Sequence, residues 1–354
     1  MSSLILSPLV HGTQALAAPR PHSQYPAETR TGHRSESLPR YRRLLPITAR
    51  LQWDANFGYC GETSLISAGL AYGQYASQWT ARALASPGVD QTQESSQLLL
   101  GVNDVAAATN MKLAVTPFDS VAQRSTPEYL SWVKAMILQG FPVIIGVFTN
   151  ATADPASAPG DAEYDHIVPV LGIGSTAELS PTDRRYRSTD VVVFSDNSGD
   201  GPGSIYRTRF GPFQRTRAQA NLPSAPLYSL RSRPSNYALA VTGVLDPSHV
   251  TIPIRLTASV DGEGRQDGPR MPQPPAPSPM TLTAVMSVPD PQVAYTVYLY
   301  DDFAKVPSRD FNSSSAGAIR SWTISPGSGR TWTTTIDLMS DQTRIFRAVP
   351  TSAP

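Results

Sequence analysis

Cys60 is the only cysteine of the chain, and the residues around it, YCGETSL at positions 59–65, lead into an apolar helical pattern. This pattern predicts that the thiol stands at the N-terminus of a helix. Backbone N–H groups there have no partners within the helix, and they stabilise a nearby anion. Cysteine thiols in such places ionise more readily, and the thiolate is the nucleophilic form. We therefore expect Cys60 to be a nucleophile, provided that the fold places a base beside it.

Two further residues have the chemistry that a thiol nucleophile needs, a base to take its proton and a third group to orient that base. His166 lies in YDHIVPVLG, residues 164–172, at the start of a predicted buried strand. Asp196 lies in VFSDNSG, residues 193–199, where the next predicted strand ends. Asn197 is a rival for the third position. We favour Asp196 because an ionised carboxylate also stabilises the imidazolium that forms.

In this order and context the chain resembles the papain-like cysteine peptidases, in particular the branch typified by peptidases that process double-glycine bacteriocin leaders. Three motifs between about residues 50 and 200 carry the resemblance: the Cys-Gly pair, the sequence GFPVIIGV at 140–147, and HIVPVLG at 166–172 followed by a strand ending in Asp196. The resemblance implies an α+β fold with N-terminal helices packed on an antiparallel sheet. It also implies Cys60 as nucleophile, His166 as general base and acid, and Asp196 as the orienting group.

The resemblance further implies a glutamine a few residues before the cysteine, which donates to the oxyanion together with the backbone N–H of the cysteine. Gln52 is that residue here, although its spacing from Cys60 is longer than the family pattern. Asn56 is a rival amide. Either side chain reaches the oxyanion only if the loop over residues 54–58 folds back.

The elements that must position these residues follow from hydrophobic periodicity. Helical patterns cover residues 64–83, 97–108 and 125–139, and apolar runs at 142–148, 166–173 and 190–195 predict buried strands. After residue 248 the helical period disappears, and short segments rich in Thr, Val, Tyr and Trp predict strands. These segments are 251–260, 281–288, 294–300, 319–324, 331–338 and 344–349.

These patterns predict three parts. Residues 1–45 are expected to be a leader or disordered arm rich in Arg and Pro, residues 46–248 a domain of helices and strands, and residues 249–354 a small β-sandwich-like domain. The resemblance implies that the middle part is a papain-like domain. A signal peptide, a transit peptide, a propeptide and a plain tail all fit the arm, and we favour secretion over a cytoplasmic or organellar location. The proline-rich stretch 268–279 is expected to be a loop within the β domain. Trp322 and Trp332 fit either a sugar-binding platform or, as we prefer, core or cross-strand packing.

Composition narrows the classes of function. A formal net charge of +1 gives no electrostatic case for a nucleic-acid partner. No apolar run approaches the roughly 18 residues of a membrane-spanning helix, so we expect no membrane partner. With one cysteine the chain forms no internal disulfide. The oligomeric state stays open.

We therefore expect a thiol-dependent hydrolase, a cysteine peptidase that acts on a peptide or protein and needs no cofactor or metal. Transfer of the acyl group to an amine, as in transglutaminase-like and arylamine acetyltransferase-like proteins, uses the same triad and is an alternative. A non-catalytic protein that binds peptide or glycan is a second alternative. The loop over residues 151–163, just before His166, is expected to determine substrate specificity.

Overall fold

The computed structural model describes residues 38–53, 55–56, 58–118, 126–147, 166–195, 197, 205–213, 236–259, 276–313 and 315–351. The described residues form a mixed α+β structure whose strands all pair antiparallel, as predicted. Its helices are α1 (Cys60–Leu70), α2 (Gln78–Ala85), α3 (Asp104–Asn110) and α4 (Thr126–Gln139). Its strands are β1 (Tyr41–Leu44), β2 (Gln74–Tyr75), β3 (Leu113–Pro117), β4 (Val143–Val147), β5 (His166–Ser175), β6 (Val191–Ser195), β7 (Ile205–Arg209), β8 (Ala238–Val244), β9 (Ile254–Ala258), β10 (Pro279–Ser287), β11 (Tyr295–Tyr300), β12 (Arg320–Ile324), β13 (Thr331–Met339) and β14 (Arg344–Pro350).

The central sheet has the order β3-β8-β4-β5-β6-β7, and β1 adds to it by pairing with the second half of β5. Every residue of β4, β5 and β6 is buried. Successive side chains of a strand point to opposite faces. Accordingly, Ile167 of β5 packs in the core cluster that contains α1, whereas Val168 packs in the cluster that contains α4. Burial on both faces explains why these strands read as unbroken apolar runs.

Strand β1 lies inside residues 1–45, which we predicted to be a leader or disordered arm. Tyr41 pairs with Ser175 and Leu44 with Gly172, so the end of that stretch belongs to the folded protein. A short arginine-rich strand at a sheet edge has little apolar periodicity, because half or more of its side chains face solvent. Residues 1–37 lie outside the described part of the chain.

The predicted helical stripe over residues 64–83 is interrupted in the structure. Helix α1 ends at Leu70, the chain turns through Gly73 with a positive φ of 74°, and the short strand β2 follows before α2 begins. A Cβ atom on Gly73 would lie 3.0 Å from the carbonyl oxygen of Phe346, so the turn needs glycine for its space as well as its conformation.

Two further sheets occupy the C-terminal part, in the orders β13-β10-β9 and β12-β11-β14-β2. Their apolar side chains share one core cluster, which also includes residues of α1, α2 and α3. Because β2 lies at residues 74–75, the predicted boundary at residue 248 is crossed by a shared sheet. Strands β9 and β10 pair with each other, and the proline-rich stretch between them lies largely outside the described residues.

Trp322 and Trp332 contact each other edge-on, with ring centroids 5.7 Å apart. Trp322 also stacks on Phe346, which is fully buried, at 5.8 Å. Both indoles are partly buried against the core. Trp322 lies in β12 and Trp332 in β13, which belong to different sheets, so their contact is core packing between the two sheets. Within the described ranges, none of the helices combines the length and the apolar character needed to cross a bilayer.

Candidate active site

Cys60 is the first residue of α1, and its side chain is buried. Every residue of this helix is buried, so α1 is a core helix rather than an amphipathic one. Tyr59 occupies the N-cap position, and its side chain makes no capping hydrogen bond. The first turn of α1 therefore receives no acceptor from the Tyr59 side chain, and N–H groups at a helix N-terminus stabilise an anion.

Close packing at position 61 explains why a glycine follows Cys60. A Cβ atom at this position would overlap the carbonyl oxygen of Leu98 and would lie 3.1 Å from its carbonyl carbon. Helix α1 thus begins in close contact with the backbone of the loop before α3. The Leu98 N–H also donates to Glu62 Oε1 at 3.0 Å. The first turn of α1 is consequently held against this loop by packing and by a hydrogen bond.

His166 is the first residue of β5 and is buried, opposite Val147 of β4 in the register. The backbone that follows it is tied to the cysteine. Ser64 Oγ donates to the carbonyl of Cys60 at 2.8 Å and lies 3.1 Å from the carbonyl of Ile167. The structure therefore brings the start of α1 and the start of β5 together.

Asn197 makes the same connection from the end of β6. Its Nδ2 lies 3.1 Å from each of three acceptors, the carbonyl oxygens of Cys60 and Ile167 and the hydroxyl of Ser64. The opposite amide orientation would turn Oδ1 toward two carbonyl oxygens, so the contacts fix the direction of the amide. Its Oδ1 is buried and accepts no hydrogen bond from the described residues. The Asn197 amide thus positions backbone.

Asp196, the predicted orienting group, lies outside the described residues, and so does the predicted specificity loop at 151–163. Their predicted roles stay predictions.

The side chain of Gln52 contacts the residue that precedes Cys60. Its Oε1 accepts the Tyr59 N–H at 2.9 Å, and its own backbone N–H donates to the carbonyl of Asn197 at 2.7 Å. The chain folds back because Gly58 N–H bonds the Ala55 carbonyl at 2.8 Å and Gly58 has a φ of 83°. Gln52 Nε2 makes no hydrogen bond to a described residue. It is the kind of donor that an oxyanion uses.

Asn56, the rival amide, lies in the same turn with a φ of 47° and is buried. Its Nδ2 has no hydrogen-bond partner within the described part of the chain. Its carbonyl accepts from Arg82 Nη1 at 2.6 Å. Both predicted amides are therefore near the start of α1 with an uncommitted donor, and Gln52 is the one bonded to the residue that precedes Cys60.

The sequence did not single out three residues of this region. Ser64 could have been predicted from the sequence, because it follows Cys60 by one helical turn and lies on the same face of the helix. The pairing of Arg82 with Glu62 could not, since it depends on how α2 packs on α1. Arg82 is fully buried and its Nε lies 2.6 Å from Glu62 Oε1.

No family model, curated protein or solved structure matches the chain. The papain-like resemblance therefore remains a prediction based on the sequence motifs.

Proposed function

We propose that the protein is a thiol-dependent hydrolase, a cysteine peptidase that acts through Cys60, His166 and Asp196. The observation that carries the proposal is the amide of Asn197, whose Nδ2 contacts the carbonyls of both Cys60 and Ile167. It ties the only thiol, at a helix N-terminus, to the strand that begins with a histidine. These are the residue types and the elements that a thiol–imidazole pair needs.

In the proposed reaction, His166 takes the proton of the Cys60 thiol, and the sulfur attacks the carbonyl carbon of the substrate. The carbonyl oxygen becomes an oxyanion, which accepts hydrogen bonds from the Cys60 backbone N–H and from Gln52 Nε2. The imidazolium then gives its proton to the leaving amine, and a thioester remains. Water, deprotonated by His166, attacks the thioester and releases the acid and the thiol.

Asp196 is proposed to accept a hydrogen bond from the imidazole and so to hold its tautomer. The contacts of Asn197 support this choice over the rival amide, because its Nδ2 is bonded to two backbone carbonyls and a hydroxyl. An amide fixed in this way serves the geometry of the nucleophile. The orienting role then falls to the neighbouring carboxylate.

The test is the pH dependence of Cys60 alkylation by iodoacetamide in the wild type, His166→Ala and the control His249→Asn. We expect the wild-type thiol to be alkylated faster near neutral pH than a free cysteine, and His166→Ala to slow this reaction. The control removes a histidine outside the site, from a position with a φ of 54° that asparagine tolerates. It should leave the profile unchanged.

An unreactive wild-type thiol, or one indifferent to His166, would contradict the proposal and favour a binding role. If the thiol behaves as expected, a peptide library in water with and without an added amine separates hydrolysis from acyl transfer. Release of free acid alone supports the hydrolase. Formation of the substituted amide in preference to acid would instead support a transferase.

A further inference from the structure

Arg82 of α2 collects almost all of its contacts from the segment that leads into α1. Its Nε donates to Glu62 Oε1 at 2.6 Å, its Nη1 to the carbonyl of Asn56 at 2.6 Å, and its Nη2 to the carbonyl of Gly58. The guanidinium carbon lies 3.5 Å from the centroid of the Tyr59 ring. One buried side chain thus contacts four of the residues between 56 and 62.

These contacts hold the turn that precedes the helix. Asn56 and Gly58 in this turn have positive φ angles of 47° and 83°. Arg82 binds the carbonyls of both of these turn residues. The Tyr59 hydroxyl is anchored separately, 3.0 Å from Gln91 Oε1. The direction in which the chain enters Cys60 is therefore fixed from the side of α2.

The chemistry of the contacts requires an arginine. Three nitrogens of a planar fork serve three acceptors while the same plane stacks on an aromatic ring. Lysine carries the charge but has neither the fork nor the stacking plane. A fully buried ion pair is also weak evidence for stability alone, because desolvation offsets much of its attraction.

We propose that Arg82 is a positioning residue for the nucleophile. It holds residues 56–62 so that the first-turn N–H groups of α1 stay at the Cys60 thiolate and the Gln52 amide stays beside them. This inference rests on the proposed function, because it concerns the reactivity of the same thiol.

The experiment measures the rate of Cys60 alkylation by iodoacetamide near neutral pH in Arg82→Lys and Glu62→Gln. If Arg82 acts by position, Arg82→Lys slows alkylation by about tenfold, because the helix N-terminus no longer stabilises the thiolate. Glu62→Gln keeps an oxygen that accepts from Arg82 and Leu98, so its rate should match the wild type. If Arg82 acted through its charge, the result would reverse. The lysine variant would match the wild type, and the glutamine variant, with its arginine unneutralised, would react faster.

The control is Arg347→Lys. Arg347 is also fully buried and donates to the carbonyls of Tyr72 and Phe346 and to Gln74 Oε1, so its replacement should cost comparable thermal stability. It should not change the alkylation profile, and an equal change in both lysine variants would overturn the inference. If Arg82→Lys does not fold, Glu62→Ala takes its place, because it removes the acceptor of Arg82 Nε. Positioning then predicts slower alkylation than in Glu62→Gln, and alkylation as fast as in Glu62→Gln or faster overturns the inference. A wild-type thiol that is inert overturns the proposed function and this inference together. A reactive wild type matched by Arg82→Lys overturns only the inference.

Discussion

The side-chain nitrogen of Asn197 lies 3.1 Å from the carbonyl oxygen of Cys60, although the two residues are 137 positions apart in the chain. The same nitrogen lies 3.1 Å from the carbonyl of Ile167, although Asn197 lies two residues beyond the end of β6. The amide therefore joins the first turn of α1 to the start of β5. Together with the Ser64 hydroxyl, which contacts the same two carbonyls, it sets the geometry of the candidate site.

Asn197→Asp tests that dependence, because it keeps the shape of the side chain and removes both N–H donors. A carboxylate would face two buried carbonyl oxygens, and we expect a loss of about 2 kcal/mol or more in the free energy of unfolding. We also expect slower alkylation of Cys60. Denaturant unfolding and alkylation kinetics measure the two effects. Asn312→Asp is the control, since that amide donates to the Pro350 carbonyl in the C-terminal sheets. It should lose stability but keep thiol reactivity.

Gly61→Ala separates packing from helix propensity at the nucleophile. Alanine is the better helix former by about 1 kcal/mol, yet its Cβ would overlap the Leu98 carbonyl oxygen. We expect the overlap to dominate and to lower the free energy of unfolding by about 2 kcal/mol or more. Gly243→Ala in β8 is the control, because no atom lies within 4 Å of its added Cβ. A Gly61→Ala protein as stable as the wild type would show that the Leu98 loop moves freely.

The parts of the fold that sequence could predict are those determined locally. Strands β4, β5 and β6 are continuous apolar runs, and α4 has a proline in its first turn and ends before Gly140. The helix start at Cys60 follows from the change of pattern after Gly61. These signals lie within a few residues of the feature they predict.

The parts that sequence missed depend on distant partners. Strand β2 has two residues, and its pairing strand β14 lies some 270 positions later in the chain. The sequence position of Asn197 fits a partner for an imidazole, but the direction of an amide is decided by the acceptors that packing brings to it. For the same reason no pattern in the sequence pairs Arg82 with Glu62.

Asp104, which begins α3, should make stability depend on pH. Burial raises the pKa of this carboxyl to about 6, although the nearby Tyr237 hydroxyl and the hydrogen bond from the Gly101 N–H oppose the shift. In the unfolded chain the group titrates near 4, so between about pH 4 and pH 6 the folded state binds more protons. The contribution of Asp104 to the free energy of unfolding therefore falls as the pH rises through this window.

Asp104→Asn removes this titration. We compare the unfolding free energy of the variant with that of the wild type at each pH. The variant-minus-wild-type difference should rise by about 2–3 kcal/mol from pH 3.5 to pH 7, as two pKa units imply. Urea unfolding of both proteins across this range measures the difference. A difference that does not vary with pH would mean that Asp104 titrates normally.

Gln52→Glu tests the oxyanion donor without disturbing the helix start. The glutamate keeps an oxygen for the Tyr59 N–H, which Gln52 Oε1 now accepts at 2.9 Å, but it replaces the Nε2 donor. Attack on a carbonyl needs that donor, whereas alkylation does not. We therefore expect acylation of Cys60 by p-nitrophenyl acetate to slow by about 10²-fold or more beyond any slowing of iodoacetamide alkylation, which reports the effect of the new carboxylate on the thiolate. Asn56→Asp is the matched variant for the rival amide. If only this variant slowed acylation, the oxyanion donor would be Asn56, and equal slowing of both reactions would mean that Gln52 acts on the thiol instead.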